Sequence, residues 1–107
     1  MVRTAITAVA LILVVVSSGL EAAGHEVGQK DKTFSVDALT IKPGDSIVFV
    51  NQDRLTHNVF STAKGNEFNL RAQAPGTSVS VTLSSEGTVE VHCAFHPRMK
   101  LIVTVKK

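Results

Sequence analysis

Short runs of alternating apolar and polar residues follow one another along the chain after residue 24. Ser78 to Leu83 and Thr88 to Cys93 show the pattern most clearly, because every second residue in each run is apolar. Alternation with a period of two places the apolar side chains on one face of a strand. No stretch after residue 24 shows a convincing helical period. The pattern therefore predicts an all-β fold.

Polar turns separate the predicted strands. In Lys42 to Asp45, proline presets one backbone angle and glycine permits an unusual one, which is typical of a turn. Residues 62–76 are expected to form a long irregular connection, with room for a single helical turn. The remaining runs are predicted strands, at residues 33–36 (continuing loosely through 38–41), 46–50, 57–61, 78–83, 88–93 and 101–105. About seven to eight short strands without an internal repeat predict a Greek-key β-sandwich.

The first 24 residues have the pattern of a secretory signal peptide. Arg3 is followed by a nearly unbroken apolar run from Ala5 to Val16, and small or polar residues then lead to Gly24. An uncleaved membrane anchor is the alternative, but this run has about 12 residues and a bilayer span needs about 20. We therefore expect residues 1–24 to be removed. Residues 25–107 would then form one exported domain in the periplasm, without membrane contact.

Charge and aromatic content argue against nucleic acid as a partner. Lys and Arg number 11 and Asp and Glu number 9, so the formal net charge is only +2. The sequence has no Trp, no Tyr and five Phe, so aromatic platforms for stacking single-stranded bases are absent. We expect a monomer that binds neither nucleic acid nor anionic lipid.

Cys93 is the only cysteine in the sequence, and export makes its role informative. Paired cysteines usually form disulfides in an oxidising compartment, so Cys93 is a free buried thiol, an intermolecular link or a metal ligand. His96 and Met99 follow it at spacings of three residues. Thiolate, imidazole and thioether suit copper that cycles between Cu(I) and Cu(II). A structural zinc site is the competing hypothesis, but it usually recruits several Cys or His residues.

A second imidazole ligand has to come from elsewhere in the chain. His57 follows a polar loop at the start of a predicted strand, and a sandwich gathers its loops at its ends. Two His, one Cys and a weak axial Met describe a type 1 copper site. His92 precedes Cys93 and should point to the opposite face of its strand, so we expect it at the surface rather than in the site.

His25 raises the possibility of a second copper site. Cleavage after Ala22 would leave Ala23-Gly24-His25 at the new N-terminus, where an amine, two amides and an imidazole chelate Cu(II) in a square plane. Cleavage after Gly24 would instead make His25 the first residue. The alternative is a disordered terminus that happens to contain one histidine.

The chain resembles the cupredoxins, and among them the plastocyanin and amicyanin group, over nearly all of residues 30–107. Residues 41–51 look like the family's early strand pair, and His57-Asn58-Val59 looks like its first ligand segment. Residues 92–99 are similar to the short ligand loop of amicyanin, although Phe95 and Arg98 depart from it. The resemblance implies one type 1 copper with four ligands: His57, Cys93, His96 and Met99. It also implies that Asn58 steadies the Cys loop through hydrogen bonds.

By the same resemblance, the expected function is one-electron transfer by a protein that is not an enzyme. His96 would be the electron port, and a redox partner protein would dock around it. Apolar contact would come from Leu55, Phe95 and Pro97, and a positive rim from Arg54, Arg98 and Lys100, with Arg71 and Lys64 as further candidates. The alternative function is periplasmic copper binding for tolerance or sequestration. A copper oxidase or nitrite reductase would need further copper sites, which the sequence does not supply.

Overall fold

The computed structural model describes residues 22–107, so most of the predicted signal peptide lies outside the described residues. This part of the chain forms nine strands and contains no helix. Accordingly, no helix long and apolar enough to cross a membrane is found among these residues. The strands are β1 (Gly24–Lys30), β2 (Thr33–Phe34), β3 (Ala38–Ile41), β4 (Ser46–Asn51), β5 (Val59–Ser61), β6 (Phe68–Asn69), β7 (Ser78–Thr82), β8 (Gly87–Cys93) and β9 (His96–Val105).

The strands form two sheets. One has the order β2-β1-β4-β7 and the other the order β3-β9-β8-β5-β6. The pairs β1–β4 and β3–β9 are parallel, and the other pairs are antiparallel. The predicted all-β sandwich is confirmed, with nine strands instead of seven to eight.

The core lies between the two sheets and is built by alternate residues. On β4, Ile47 and Phe49 are buried while their neighbours are half-buried. On β8, Val89 and Val91 are fully buried, and Val103 of β9 packs in the same cluster. Each such side chain contributes roughly 1.5–3 kcal/mol on burial. This core holds the strand ends that carry the candidate ligands in fixed positions.

Strand β1 was not predicted from the sequence. Its residues Gly24 to Gln29 pair in parallel with Ser46 to Asn51 of β4. Only Val27 in that stretch is a strong strand former, because Gly, Glu and Gln have low or neutral β-propensity. The strand therefore exists because β4 offers it a hydrogen-bonding edge, which local sequence does not reveal.

The run from residue 33 to residue 41 is divided between the two sheets. Thr33–Phe34 pairs with β1 in one sheet, and Ala38–Ile41 pairs with β9 in the other. Ser35 N–H donates to Gly28 O at 2.8 Å, and Asp37 O accepts from Ile102 N–H at 3.0 Å. The loosely continuous strand predicted from the sequence is therefore a crossover between sheets.

The connection over residues 62–76 is mostly irregular, as predicted. It contains the short strand β6 on the edge beside β5, and no helical turn occurs within this connection. The preceding strand begins at Val59 rather than at His57. His57 lies outside β5 and forms an isolated bridge with Gln73 instead.

Candidate metal centre

The β8–β9 hairpin places Cys93 directly opposite His96. Ala94 and Phe95 form a two-residue turn between them, and the register shifts between His92 and Cys93. Ala94 N–H donates to Asn58 O at 2.9 Å, which ties the turn to the segment after His57. The final strand predicted from Leu101 to Val105 is present, but it begins earlier, at His96, where a loop was expected from the sequence. Pairing with Cys93 extends the strand back to His96.

His57 is held by its backbone on both sides. Its N–H donates to Gln73 O at 3.1 Å, and its carbonyl accepts from Gln73 N–H at 2.7 Å. The Gln73 side chain donates in turn to Phe49 O and Thr77 O, each at 2.9 Å. His57 is fully buried, so this pairing fixes its imidazole inside the sandwich end.

The structure brings three of the four predicted ligands together. The candidate ligand atoms of His57, Cys93 and His96 all lie within 4.8 Å of one another. Cys93 Sγ is 3.6 Å from His57 Nδ1, and the centroids of the two imidazole rings are 4.8 Å apart. Met99 lies three residues beyond His96 on β9 and is buried in the core cluster with Cys93.

The chemistry of this cluster fits a soft transition metal. Both ring nitrogens of His96 are buried and have no hydrogen-bond partner among the described residues. An unsatisfied buried polar atom costs about 1–3 kcal/mol, which a metal bond at one nitrogen would offset. Burial, assisted by His57 and Lys32, lowers the pKa of His96 and keeps its imidazole neutral for binding. One thiol and two imidazoles match the trigonal ligand set of type 1 copper.

Asp53 orients His57 and was not identified from the sequence. Its Oδ2 lies 2.9 Å from His57 Nε2, so Nε2–H donates to the carboxylate and Nδ1 faces Cys93 as an acceptor. The hydrogen bond from His57, followed by that from Lys32 N–H, lowers the pKa of Asp53 to about 2. A carboxylate four residues before the histidine, in a polar loop, was the available signal. Such partners orient metal-binding imidazoles.

Asn58 steadies the Cys loop through its backbone. Its N–H points at Cys93 Sγ at 3.4 Å, and its carbonyl accepts from Ala94 N–H. Its side-chain amide donates to Asn69 Oδ1 at 2.7 Å instead of reaching the Cys loop. The expected role of Asn58 is therefore present, but main-chain atoms perform it.

Two other histidines were considered from the sequence, and both lie outside the cluster. His92 is half-buried, and its Nε2 is 3.3 Å from Glu90 Oε2, which agrees with the expected surface position. His25 lies in β1, with Nε2 3.0 Å from Asp45 Oδ2. His25 therefore lies in a strand rather than in a disordered terminus.

A recess of about 710 Å³ opens at the surface beside His96. Leu55 is 42% exposed and Phe95 is 56% exposed, so both present apolar surface there. Pro97 and Arg98 line the same side, as the sequence analysis expected. Asp31 and Lys32 of the β1–β2 turn and Thr33 of β2 also line the recess, which was not expected from the sequence.

Comparison with known proteins supports these observations. Residues 22–106 match the model of the copper-binding proteins of the plastocyanin/azurin family. The chain is 38% identical over 71 residues to the methylamine utilization protein MauL of Methylorubrum extorquens. That match covers 64% of this chain and 62% of MauL, so the chain spans less than two thirds of the relative's length.

Solved structures give the same fold. A purple cupredoxin from Nitrosopumilus maritimus is 22% identical with a TM-score of 0.68, covering 77% of this chain and 99% of that one. The reduced state of a proline-to-phenylalanine variant of amicyanin is 28% identical with a TM-score of 0.69. The amicyanin match covers 78% of this chain and 82% of the other.

Proposed function

The chain belongs to the plastocyanin/azurin family of copper-binding proteins, and on that premise we propose that it is a small one-electron carrier. The observation that carries the proposal is a buried thiol and two imidazoles whose ligand atoms lie within 4.8 Å of one another. We propose that one type 1 copper is bound by these groups, with Met99 as the weak axial ligand. The ligand set is then His57, Cys93, His96 and Met99.

The surrounding residues support a carrier because they keep the ligands in place. Bound copper supplies the one-electron couple between Cu(I) and Cu(II). The bridge to Gln73 and the carboxylate of Asp53 hold the His57 ring, and the β8–β9 hairpin holds Cys93 and His96. Burial of Cys93 and Met99 excludes water from the thiolate and the thioether. These contacts would limit movement of the ligands when the copper changes oxidation state, and small movement favours rapid electron transfer.

We propose that a redox partner protein docks on the recess beside His96. His96 is half-buried and lines this recess, so a partner seated there would approach the metal most closely. Leu55, Phe95 and Pro97 supply apolar contact. Lys32 and Arg98 supply two positive charges against the one negative charge of Asp31. The chemistry of this face suits a partner with an acidic docking surface.

Copper storage for tolerance is the alternative function and would use the same ligands. The exposed Phe95 and Leu55 beside His96 favour the carrier, because storage does not require an apolar docking face next to a ligand. Strong induction of the gene by copper, together with slow electron self-exchange of the purified protein, would support storage instead.

The export and oligomeric state expected from the sequence remain part of the proposal. The apolar run of residues 5–16 supports periplasmic location, and a monomer is expected in solution. Fractionation of cells and sedimentation of the purified protein measure these two properties directly.

One experiment tests the copper site on which the proposed function depends. The exported protein is purified, loaded with Cu(II) and examined by visible and paramagnetic resonance spectroscopy. We expect intense thiolate-to-copper charge transfer that is absent in Cys93→Ser and retained in the control His92→Ala. Unfolding curves confirm that each variant is folded. A folded, copper-loaded wild-type protein without this absorption would contradict the proposed site.

A further inference from the structure

A second cluster of polar groups surrounds Asp45 at the other end of the sandwich. Asp45 is 4% exposed and follows the turn before β4. Asn51 at the far end of β4 lies near the metal centre, since its side chain donates to Leu55 O and Gln73 O. At about 3.3 Å per residue, the two ends of β4 are roughly 17 Å apart. The proposed electron carrier makes no use of Asp45.

Three donors converge on this carboxylate. Ala23 N–H donates to Oδ1 at 2.9 Å, and Lys42 N–H donates to Oδ2 at 3.0 Å. The His25 imidazole contacts Oδ2 at 3.0 Å through Nε2. These bonds lower the pKa of Asp45 to about 2, with His25 as the largest cause and Lys42 the next. Asp45 is therefore ionised at neutral pH.

Within residues 22–107, the first hydrogen bonds along the chain are those of Ala23. Besides its bond to Asp45, Ala23 accepts a hydrogen bond at its carbonyl from Ser46 N–H at 3.0 Å. Gly24, the next residue, already pairs with Ser46 in the sheet. Ala22 and Ala23 are both exposed.

We infer that the exported chain is cleaved between Ala22 and Ala23 and that the new α-ammonium group of Ala23 binds Asp45. Hydrolysis by a signal peptidase consumes one water, breaks the Ala22–Ala23 amide and leaves a carboxylate on Ala22 and an ammonium on Ala23. Ala22 is the small residue that such cleavage requires. This is one of the two cleavage positions considered from the sequence, and it lies two residues before the other, after Gly24.

Cleavage after Gly24 would remove contacts that the fold uses. It would delete both hydrogen bonds of Ala23 and the pairing of Gly24 with Ser46. Cleavage after Ala22 keeps all of them and changes the donor to Asp45 from a neutral amide to a charged amine. Charge-assisted hydrogen bonds are roughly twice as strong as neutral ones. Processing therefore completes the anchoring of β1.

Other charged groups around the carboxylate do not replace this ammonium. Lys42, Lys106 and Lys107 line the recess that contains His25 and Asp45. The structure gives no ion pair between these lysine side chains and Asp45 among the described residues, whereas the Ala23 nitrogen is already at hydrogen-bond distance. The N-terminal amine is thus the cation positioned to bind Oδ1.

The first test is the mass of the mature chain. Intact mass and N-terminal sequencing of the exported protein should give Ala23 as the first residue. A chain that begins at His25 would overturn the inference, and so would one that begins at any residue other than Ala23.

The second test is the pKa of the terminal amine, measured from the pH dependence of its acylation. A free α-amine has a pKa of about 7.7–8.0, and binding to a carboxylate should raise it. We expect the raised value in wild type and a return to the ordinary range in Asp45→Asn. Equal values in the two proteins would contradict an ammonium–Asp45 contact.

A double-mutant cycle then separates this contact from general destabilisation. Acetylating the Ala23 amine removes its charge and keeps one N–H donor. In wild type we expect acetylation to raise the unfolding equilibrium constant roughly fivefold to tenfold, and in Asp45→Asn to leave it unchanged. An equal effect in both backgrounds would refute the pairing. If Asp45→Asn does not fold, wild type alone is used. In that case an unfolding equilibrium constant that does not change on acetylation refutes the pairing. The visible copper absorption should stay constant throughout, so this inference can fail without affecting the proposed function.

Discussion

At the level of single residues, Asp53 links the metal centre to the β1–β2 turn. One carboxylate oxygen, Oδ2, lies 2.9 Å from His57 Nε2 and 3.1 Å from Lys32 N. Asp31 and Lys32 have φ angles of 52° and 58°, a left-handed conformation that non-glycine residues adopt infrequently. The hydrogen bond from Lys32 N–H to Asp53 helps to hold this turn. Asp31 and Lys32 of the turn line the recess beside His96.

Replacing Asp53 should weaken copper binding. In Asp53→Ala, His57 loses the acceptor for its Nε2–H and its ring is free to rotate. We expect copper affinity to fall by about 10–100-fold. Competition with a chelator of known affinity measures this effect. Asp53→Asn, which keeps an oxygen acceptor, should recover part of the loss, and Glu90→Ala is the control outside the site. Equal affinities in Asp53→Ala and wild type would exclude this role.

Asp45 should make stability depend on pH in acid. Its pKa in the folded chain is lowered to about 2, against about 3.9 for an ordinary Asp. The resulting stabilisation is fully present above pH 4 and is lost as the pH falls from about 4 through about 2. Urea unfolding of the metal-free protein at several pH values measures the decline. The decline should be shallower in Asp45→Asn, and identical profiles would disprove the contribution.

At the level of elements, the β8–β9 hairpin determines the distance between two ligands. Cys93 and His96 are directly opposed, and only Ala94 and Phe95 separate them. In an antiparallel pair the register follows from the turn length, so one extra residue changes which side chains face each other. Val89 and Val91 of β8 and Leu101 and Val103 of β9 lie further along the same strands and are fully buried in the core.

Lengthening this turn should abolish the site while preserving the fold. With one glycine inserted between Ala94 and Phe95, we expect more than half of the charge-transfer absorption to be lost, because His96 moves relative to Cys93. Far-ultraviolet circular dichroism should remain that of a β-sandwich. The matched control inserts one glycine between Glu86 and Gly87, at the other end of β8. Full retention of the absorption in the first variant would show that the turn does not position the ligands.

At the level of the whole molecule, the two ends of the sandwich differ in character. One end carries the buried ligand cluster and a recess with exposed apolar residues, Leu55 and Phe95. The other carries Asp45 among lysines and the start of β1. The hydrophobic core lies between the two ends. A substitution at one end therefore does not remove a direct contact with the other end.

Electron transfer with an acidic partner should depend on Arg98. On sequence grounds both Arg98 and Lys64 were candidates for the positive rim, but only Arg98 of these two lines the recess. We expect Arg98→Glu to slow transfer by about tenfold at low ionic strength, with the difference shrinking as salt screens the charges. Lys64→Glu carries the same charge change and should have little effect. Rates independent of ionic strength in all three proteins would remove electrostatic steering from the proposal.

The sequence by itself was sufficient to predict those features that depend on residues close together in the chain. The alternation of Ser78 to Leu83 and Thr88 to Cys93 predicted β7 and β8, because a period of two follows from strand geometry. Cys93 and His96, three residues apart, were identified together and lie together. Local spacing was informative because a short turn leaves few ways to arrange these side chains.

Only the tertiary structure decided the features that join distant parts of the chain. β1 forms by pairing with the edge of β4. Residues 33–41 are split between two sheets because the first part pairs with β1 and the last part with β9. The side chain of Gln29 donates a hydrogen bond to that of Gln73, 44 positions further along the chain. Asp53 is close in sequence to His57, yet its role depends on the bridge to Gln73 that turns the imidazole toward Cys93. These contacts form only when both partners are brought together by folding, so no local pattern in the sequence encodes them.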